Sequence, residues 1–269
     1  MKLWAIIEYT FREGLARKTI IGFAIISTFF LLLAIIAAIL MPATIDFGEG
    51  QGEIDITADP MLIWQVQATM TGLINFAALV LSVFATAAIL PNTMEKGSID
   101  LLLSKPISRA EILFGKLLGS LLIVVVNVAW FIAGMWLITG LRTGEWNMGF
   151  LAVTLSISYT FLVLYTPMLV IGISSRSSAL TIIILYVFIF LLSPILEARE
   201  PIAQLAGSDA TRSVLDFFYY ILPKPDALSQ VSYALVIHQP IEWMPIWSSG
   251  LFAVAMYALA LWLFRKKDF

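Results

Sequence analysis

Cysteine is absent from the sequence, and histidine occurs once, as His238. Disulfides, thiolate metal sites and cysteine nucleophiles are therefore excluded, and a histidine-built metal centre or catalytic triad has no material to draw on. Charge is also scarce: Asp, Glu, Lys and Arg make up 13% of 269 residues, where a soluble domain carries about 25%. With 60% hydrophobic residues, so few charges cannot cover a water-facing surface, and lipid must supply the environment of much of the chain. The first long apolar run is too long for a signal peptide and has no small-residue cleavage site behind it, so the sequence predicts no cleavable leader.

What is present is a series of apolar windows. A hydrocarbon core of roughly 30 Å needs about 20 apolar residues in a helix. Six windows qualify, at about 19–40, 63–90, 117–139, 148–173, 179–196 and 244–264. The expected fold class is an all-α polytopic membrane protein forming one transmembrane domain over residues 1–269. Pro167 and Pro194 interrupt the fourth and fifth windows and are candidate kinks.

Basic residues decide the orientation. Lys2, Arg12, Arg17 and Lys18 precede the first span, and Lys96, Lys105, Arg109 and Lys116 lie between the second and third. Arg176 separates the fourth and fifth, and Arg265, Lys266 and Lys267 follow the sixth. Twelve of the sixteen basic residues thus share one face, which is expected to be cytoplasmic with both termini, in a cell (inner) membrane. The opposite loop between spans one and two is acidic, with Asp46, Glu49, Glu53, Asp55 and Asp59. It lacks EF-hand spacing, so it reads as a solvated loop and not as a calcium site.

Two stretches outside the spans carry pattern. In the first eighteen residues, Leu3, Ile7, Phe11 and Leu15 recur every four positions, predicting an amphipathic helix in the inner interface. It reads either as an anchor or as a lever joined to the first span. The segment from 197 to 243, before the last span, is too long for a simple connection. It predicts two short helices on the outer ends of the spans, one around 214–222 and one around 228–237, separated by Pro223-Lys224-Pro225.

The span interiors contain no Asp, Glu, Lys, Arg or His, which argues against an ion- or proton-coupled antiporter. Gly172-Ile173-Ser174 has no histidine base nearby, and no phosphate-binding Gly-x-x-x-x-Gly-Lys-Ser/Thr loop occurs. The chain is therefore expected to be non-catalytic, with no cofactor or metal of its own. Neutral polar residues remain within the spans, notably Asn75, Asn127, Thr86 and Ser156. They are candidates for lining a path or for hydrogen bonding between helices.

The most informative stretch is the basic-side segment 92–116. Ser98 can cap a short helix with Asp100 in its first turn, and Ile99, Leu102 and Leu103 would share one face. Lys105-Pro106 ends it. Ser108 and Glu111 then have capping-box spacing at the start of a second helix running into the third span. Short capped helices with exposed leucines read either as interfacial helices resting on lipid or as a knob fitting a groove on another protein.

This stretch resembles the pattern shared by permease subunits of type-2 ATP-binding-cassette exporters. The match lies in Glu95, Gly97, Ser98, Leu101, Leu102, Leu103, Ser104, Pro106, Ser108, Arg109, Glu111 to Leu113, Gly115 and Lys116. Leu222-Pro223 with Asp226 is similar to the branch related to multicopper-enzyme maturation permeases. The resemblance implies a type V exporter-like arrangement, in which residues 95–109 receive force from a separate cytoplasmic ATPase and the helix of residues 1–18 is a connecting lever. It also implies a second permease, a copy or a paralogue, with ATP and Mg held by the ATPase. The partners so implied are that ATPase, the second permease and the bilayer; nucleic acid is not among them. Two alternatives stay open: a mechanical transmitter to an extracytoplasmic partner, or an ATPase-independent channel or scaffold.

Overall fold

A computed structural model describes residues 2–16, 18–40, 44–46, 53–55, 59–94 and 107–267. Among these residues the chain is almost entirely helical, and six helices are long and apolar enough to cross a membrane. The exception is a two-stranded hairpin of β1 (Thr44–Asp46) and β2 (Glu53–Asp55), with Ile45 opposite Ile54. The acidic segment expected as a loop thus contains paired backbone on both sides of residues 47–52.

Helix α1 (Lys2–Ala16) precedes the first spanning helix, α2 (Lys18–Leu40). The second, α3 (Pro60–Thr86), is started by Asp59, whose carboxylate accepts from the Met61 amide at 2.9 Å, with Pro60 at the first helical position. A turn at Ala87-Ala88 leads to α4 (Ile89–Thr93). The third span, α5 (Arg109–Thr143), has 35 residues, or roughly 52 Å at 1.5 Å per residue. That exceeds the hydrocarbon thickness, so its first turns reach beyond the apolar layer. The fourth, α6 (Met148–Ser175), is capped by Asn147 and closed by Arg176 in the left-handed conformation (φ 54°).

The two prolines have different consequences. Pro167 leaves α6 unbroken. It cannot donate to the Val163 carbonyl, and the Thr166 hydroxyl donates there instead at 2.9 Å. Pro194 lies just beyond a π-helical turn, Phe188–Leu192, in the fifth span. That span runs from α7 (Ser178–Val187) through this turn into α8 (Ser193–Glu197). Widening the helix before the proline accommodates the ring and the missing donor.

Beyond the fifth span come three helices where two were expected: α9 (Arg199–Ala206), α10 (Asp209–Ile221) and α11 (Pro225–Val236). The last span is α12 (Trp243–Lys266).

Among the spans, α3 and α6 are the most enclosed, whereas α2 and α12 expose most of their surface. The core is built by Val83 of α3, Val124 and Ile132 of α5, and Val153, Ile157 and Phe161 of α6, all buried. Between helices in lipid such contacts act through close packing, since the alternative environment is equally apolar. Helix α11 is wedged between α3 and α6, with Leu228, Val231, Ser232 and Val236 buried.

Candidate functional site at the basic end of the bundle

The end of the bundle carrying Arg109, Arg176 and Arg265 to Lys267 brings four helices together. The first contact joins α1 to the base of α5. A side chain at Gly115 would come to 2.5 Å of Ile6, and one at Gly119 to 2.5 Å of Thr10. The two glycines, one turn apart on one face of α5, open a groove that admits α1 at close range. Between them Lys116 is fully buried, and its ammonium reaches Glu13 of α1 at 2.5 Å while facing the Tyr9 ring at 5.0 Å. One turn further along α5, Ser120 donates to the buried Tyr165 hydroxyl of α6 at 2.7 Å.

The face of α1 turned into α5 is therefore Ile6, Thr10 and Gly14, all buried. It lies one position before Ile7 and Phe11 of the expected apolar stripe, which are half-buried. Glycine contact and ion pairing, rather than apolar periodicity, choose that face. The side chains of Leu3 and Leu15 lie outside the described residues.

A second set of contacts joins α5 to α12 and α12 to α6. The Ser108 hydroxyl accepts from the Glu111 amide at 3.2 Å, and the Glu111 carboxylate accepts from the Ser108 amide at 2.7 Å, a complete capping box. The box aims Arg109 at the end of α12, where its guanidinium donates to the carbonyls of Phe264 (3.1 Å), Arg265 (2.9 Å) and Lys267 (2.8 Å). A cation on these helix-end carbonyls is favoured twice, by the unsatisfied acceptors and by the helix dipole. Lys267 in turn donates to the Ile173 carbonyl near the end of α6. Burial, with the neighbouring Arg176 charge second, pulls the Lys267 pKa below its usual value.

The α5 side of these contacts follows directly after residues 95–106 in the chain. Of the expected force-receiving residues, Glu95, Gly97, Ser98, Leu101, Leu102, Leu103, Ser104 and Pro106 lie outside the described residues, while Ser108 and Arg109 form the start of α5 as above. Upstream, Pro91 of α4 lies beside Gly172 of α6.

The polar residues of the spans divide into separate sets. The Ser232 hydroxyl of α11 lies between the Asn75 side-chain oxygen of α3 (3.5 Å) and the Ser156 hydroxyl of α6 (2.8 Å), with one proton to donate to either. Asn75 and Ser156 are thus brought together through a residue the sequence did not single out. Thr86 donates within its own helix to Ser82 at 2.7 Å. Asn127 lies apart from these, accepting from Ser27 of α2 at 2.7 Å. At the far end, Asn147 donates to Gln67 of α3 and to the Val236 carbonyl of α11, both at 2.9 Å. Gln67 donates to Thr139 of α5 at 3.1 Å.

The short helices between the fifth and sixth spans are held by charge. Arg199 donates to Asp216 at 3.2 Å, with its guanidinium 3.6 Å from the Tyr219 ring centre. Lys224, 3% exposed, donates to Ser248 of α12 at 2.8 Å, and Ser193 donates to Asp226 at 2.5 Å. Burial, then the Arg199 charge, lowers the Lys224 pKa, with Glu197 opposing. Helix α10 leaves Val214, Phe217, Phe218 and Ile221 exposed on one face. Among the described residues no group of three or more His, Cys, Asp or Glu could hold a metal ion.

Six apolar spanning helices, gathered by contacts at a basic end, define a multi-pass membrane protein. The chain belongs to the ABC-2 family of transporter proteins, whose family model matches residues 4–269. It is the membrane component of an ABC transporter. No curated protein matches its sequence.

Proposed function

We propose that this chain is the permease subunit of an ATP-driven exporter and that its basic end faces the cytoplasm, where residues 95–106 meet a separate ATPase. ATP and Mg would be held by that ATPase, and a second permease, a copy or a paralogue, would complete the membrane path. The observation carrying the reading is the fastening of α1, α5, α6 and α12 around the start of α5, immediately after that segment. A push delivered there passes through the capping box into α5, through Arg109 into α12, and through Glu13–Lys116 into α1. The basic residues concentrated at this end support the orientation.

Co-purification tests the contact. The wild-type chain is expected to retain a P-loop ATPase and stimulate its hydrolysis, and Leu102→Asp with Leu103→Asp should release it. Retention with full stimulation would remove residues 95–106 from the coupling role. Transport into sealed vesicles separates an exporter from a mechanical transmitter, which would hydrolyse ATP and move no solute.

A further inference from the structure

We propose that the cleft between α2, α3 and α5 is a binding site for an apolar, chain-like molecule carrying one hydrogen-bond acceptor, which the Asn127 amide recognises at mid-membrane depth. The cleft has a volume of about 260 Å³ and is walled by Phe23, Ile26, Phe30, Leu73, Ala77 and Phe131, with Ser27 and Asn127 its polar members. This is close to the lower end of small-molecule pockets, about 300–1,000 Å³, and suits a segment of a ligand rather than a compact polar solute.

Asn127 lies eighteen residues from Arg109 and sixteen from Thr143, near the middle of α5. It is 9% exposed. Its side-chain oxygen is satisfied by the Ser27 hydroxyl at 2.7 Å. Its Nδ2 donors have no partner among the described residues, and the residue borders both this cleft and the groove between α2 and α5. At this depth water is absent, and an unpaired amide donor is costly. A wholly apolar occupant would leave that cost standing, whereas a carbonyl, ether or hydroxyl oxygen would remove it. Phospholipid ester groups lie at the interface, so an acceptor at this depth belongs to the body of the ligand chain. The shared chemistry covers an oxygenated lipid chain or a free hydrophobic molecule.

Two photoprobes of equal length with the same terminal diazirine test this, an alkane and a mid-chain ketone. They are added in turn to the full chain in nanodiscs without nucleotide, so the outcome is independent of any ATPase. The ketone should label peptides around 23–30, 73–81 and 127–131 about fivefold more than the alkane, the factor set by one net hydrogen bond of roughly 1 kcal/mol. Asn127→Leu should erase that excess and leave alkane labelling unchanged. Ser27→Ala, which removes the interhelical bond and keeps the donor, should retain the excess, and Ala77→Phe should reduce labelling by both probes. Adding the ketone as a membrane-anchored lipid or as a free solute distinguishes the two sources, and preferential labelling by either supports the site. Equal labelling by ketone and alkane, or a preference surviving Asn127→Leu, would overturn it. So would efficient disulfide pairing of an Ile26→Cys protein, because a second copy would then occupy the cleft.

Discussion

The two ends of the bundle are fastened by different chemistry. At the basic end, cations reach across helices to a carboxylate or to helix-end carbonyls: Lys116 to Glu13, Arg109 to the end of α12, and Lys267 to α6. Inside the far end, neutral amides do the corresponding work, with Asn147 joining α3, α6 and α11. Charged contacts occur there in the short helices between the fifth and sixth spans, around Arg199 and Lys224. A buried charge missing its partner is much more costly than a missing neutral hydrogen bond. Pulling helices apart at the basic end should therefore cost more than repacking the far end.

The sharpest way to break this contrast is to strand a charge. Glu13→Gln takes away the carboxylate charge that pairs with buried Lys116, with an expected loss of about 3–5 kcal/mol in the attachment of α1. The double variant Glu13→Gln with Lys116→Met should recover most of the loss, read by thermal unfolding in nanodiscs. Next comes Arg109→Gln, which removes charge-assisted bonds to three carbonyls and should cost about 1.5–3 kcal/mol, with faster proteolysis at the end of α12. At the far end, Asn147→Ala removes two interhelical bonds and a helix cap and should cost roughly 1–3 kcal/mol by the same unfolding assay. If this loss equals or exceeds that of Glu13→Gln, the contrast fails.

The smallest effect is a pH dependence at Lys224. Its pKa is lower in the folded chain than in the unfolded one, so the unfolded chain binds the proton more tightly. Stability should rise with pH in the window just below the usual lysine value of about 10.4, and Lys224→Met should flatten that slope. A slope unchanged by the substitution would mean that another group carries it.

Local patterns were legible in the sequence, and distant pairings were not. Ser108 and Glu111 are three residues apart, and their spacing alone predicts the cap seen at α5. The six spans follow from windows of apolar residues, although their capped ends extend past the apolar part. Arg109 reads only as a motif member, because its carbonyl partners lie about 155 residues away in a helix end with no sequence signal. The apolar part of α10 is visible from Val214, but its polar first turn at Asp209 is not, and α9 is hidden by Pro201 and its polar residues. Periodicity in α1 points to Ile7 and Phe11. The signal for the packed face was instead Gly115 and Gly119, four residues apart in another helix.

Under the proposed coupling, α1 and α5 move together when the ATPase partner binds nucleotide. The absence of native cysteine allows spin labels at Trp4→Cys on α1 and Phe114→Cys on α5, both exposed positions. In transporter complexes with one labelled copy, the distance between them should stay the same with and without trapped ATP, while the distance from Trp4 to a label at Met148→Cys changes. A nucleotide-dependent change between α1 and α5, with the far-end distance constant, would contradict the account.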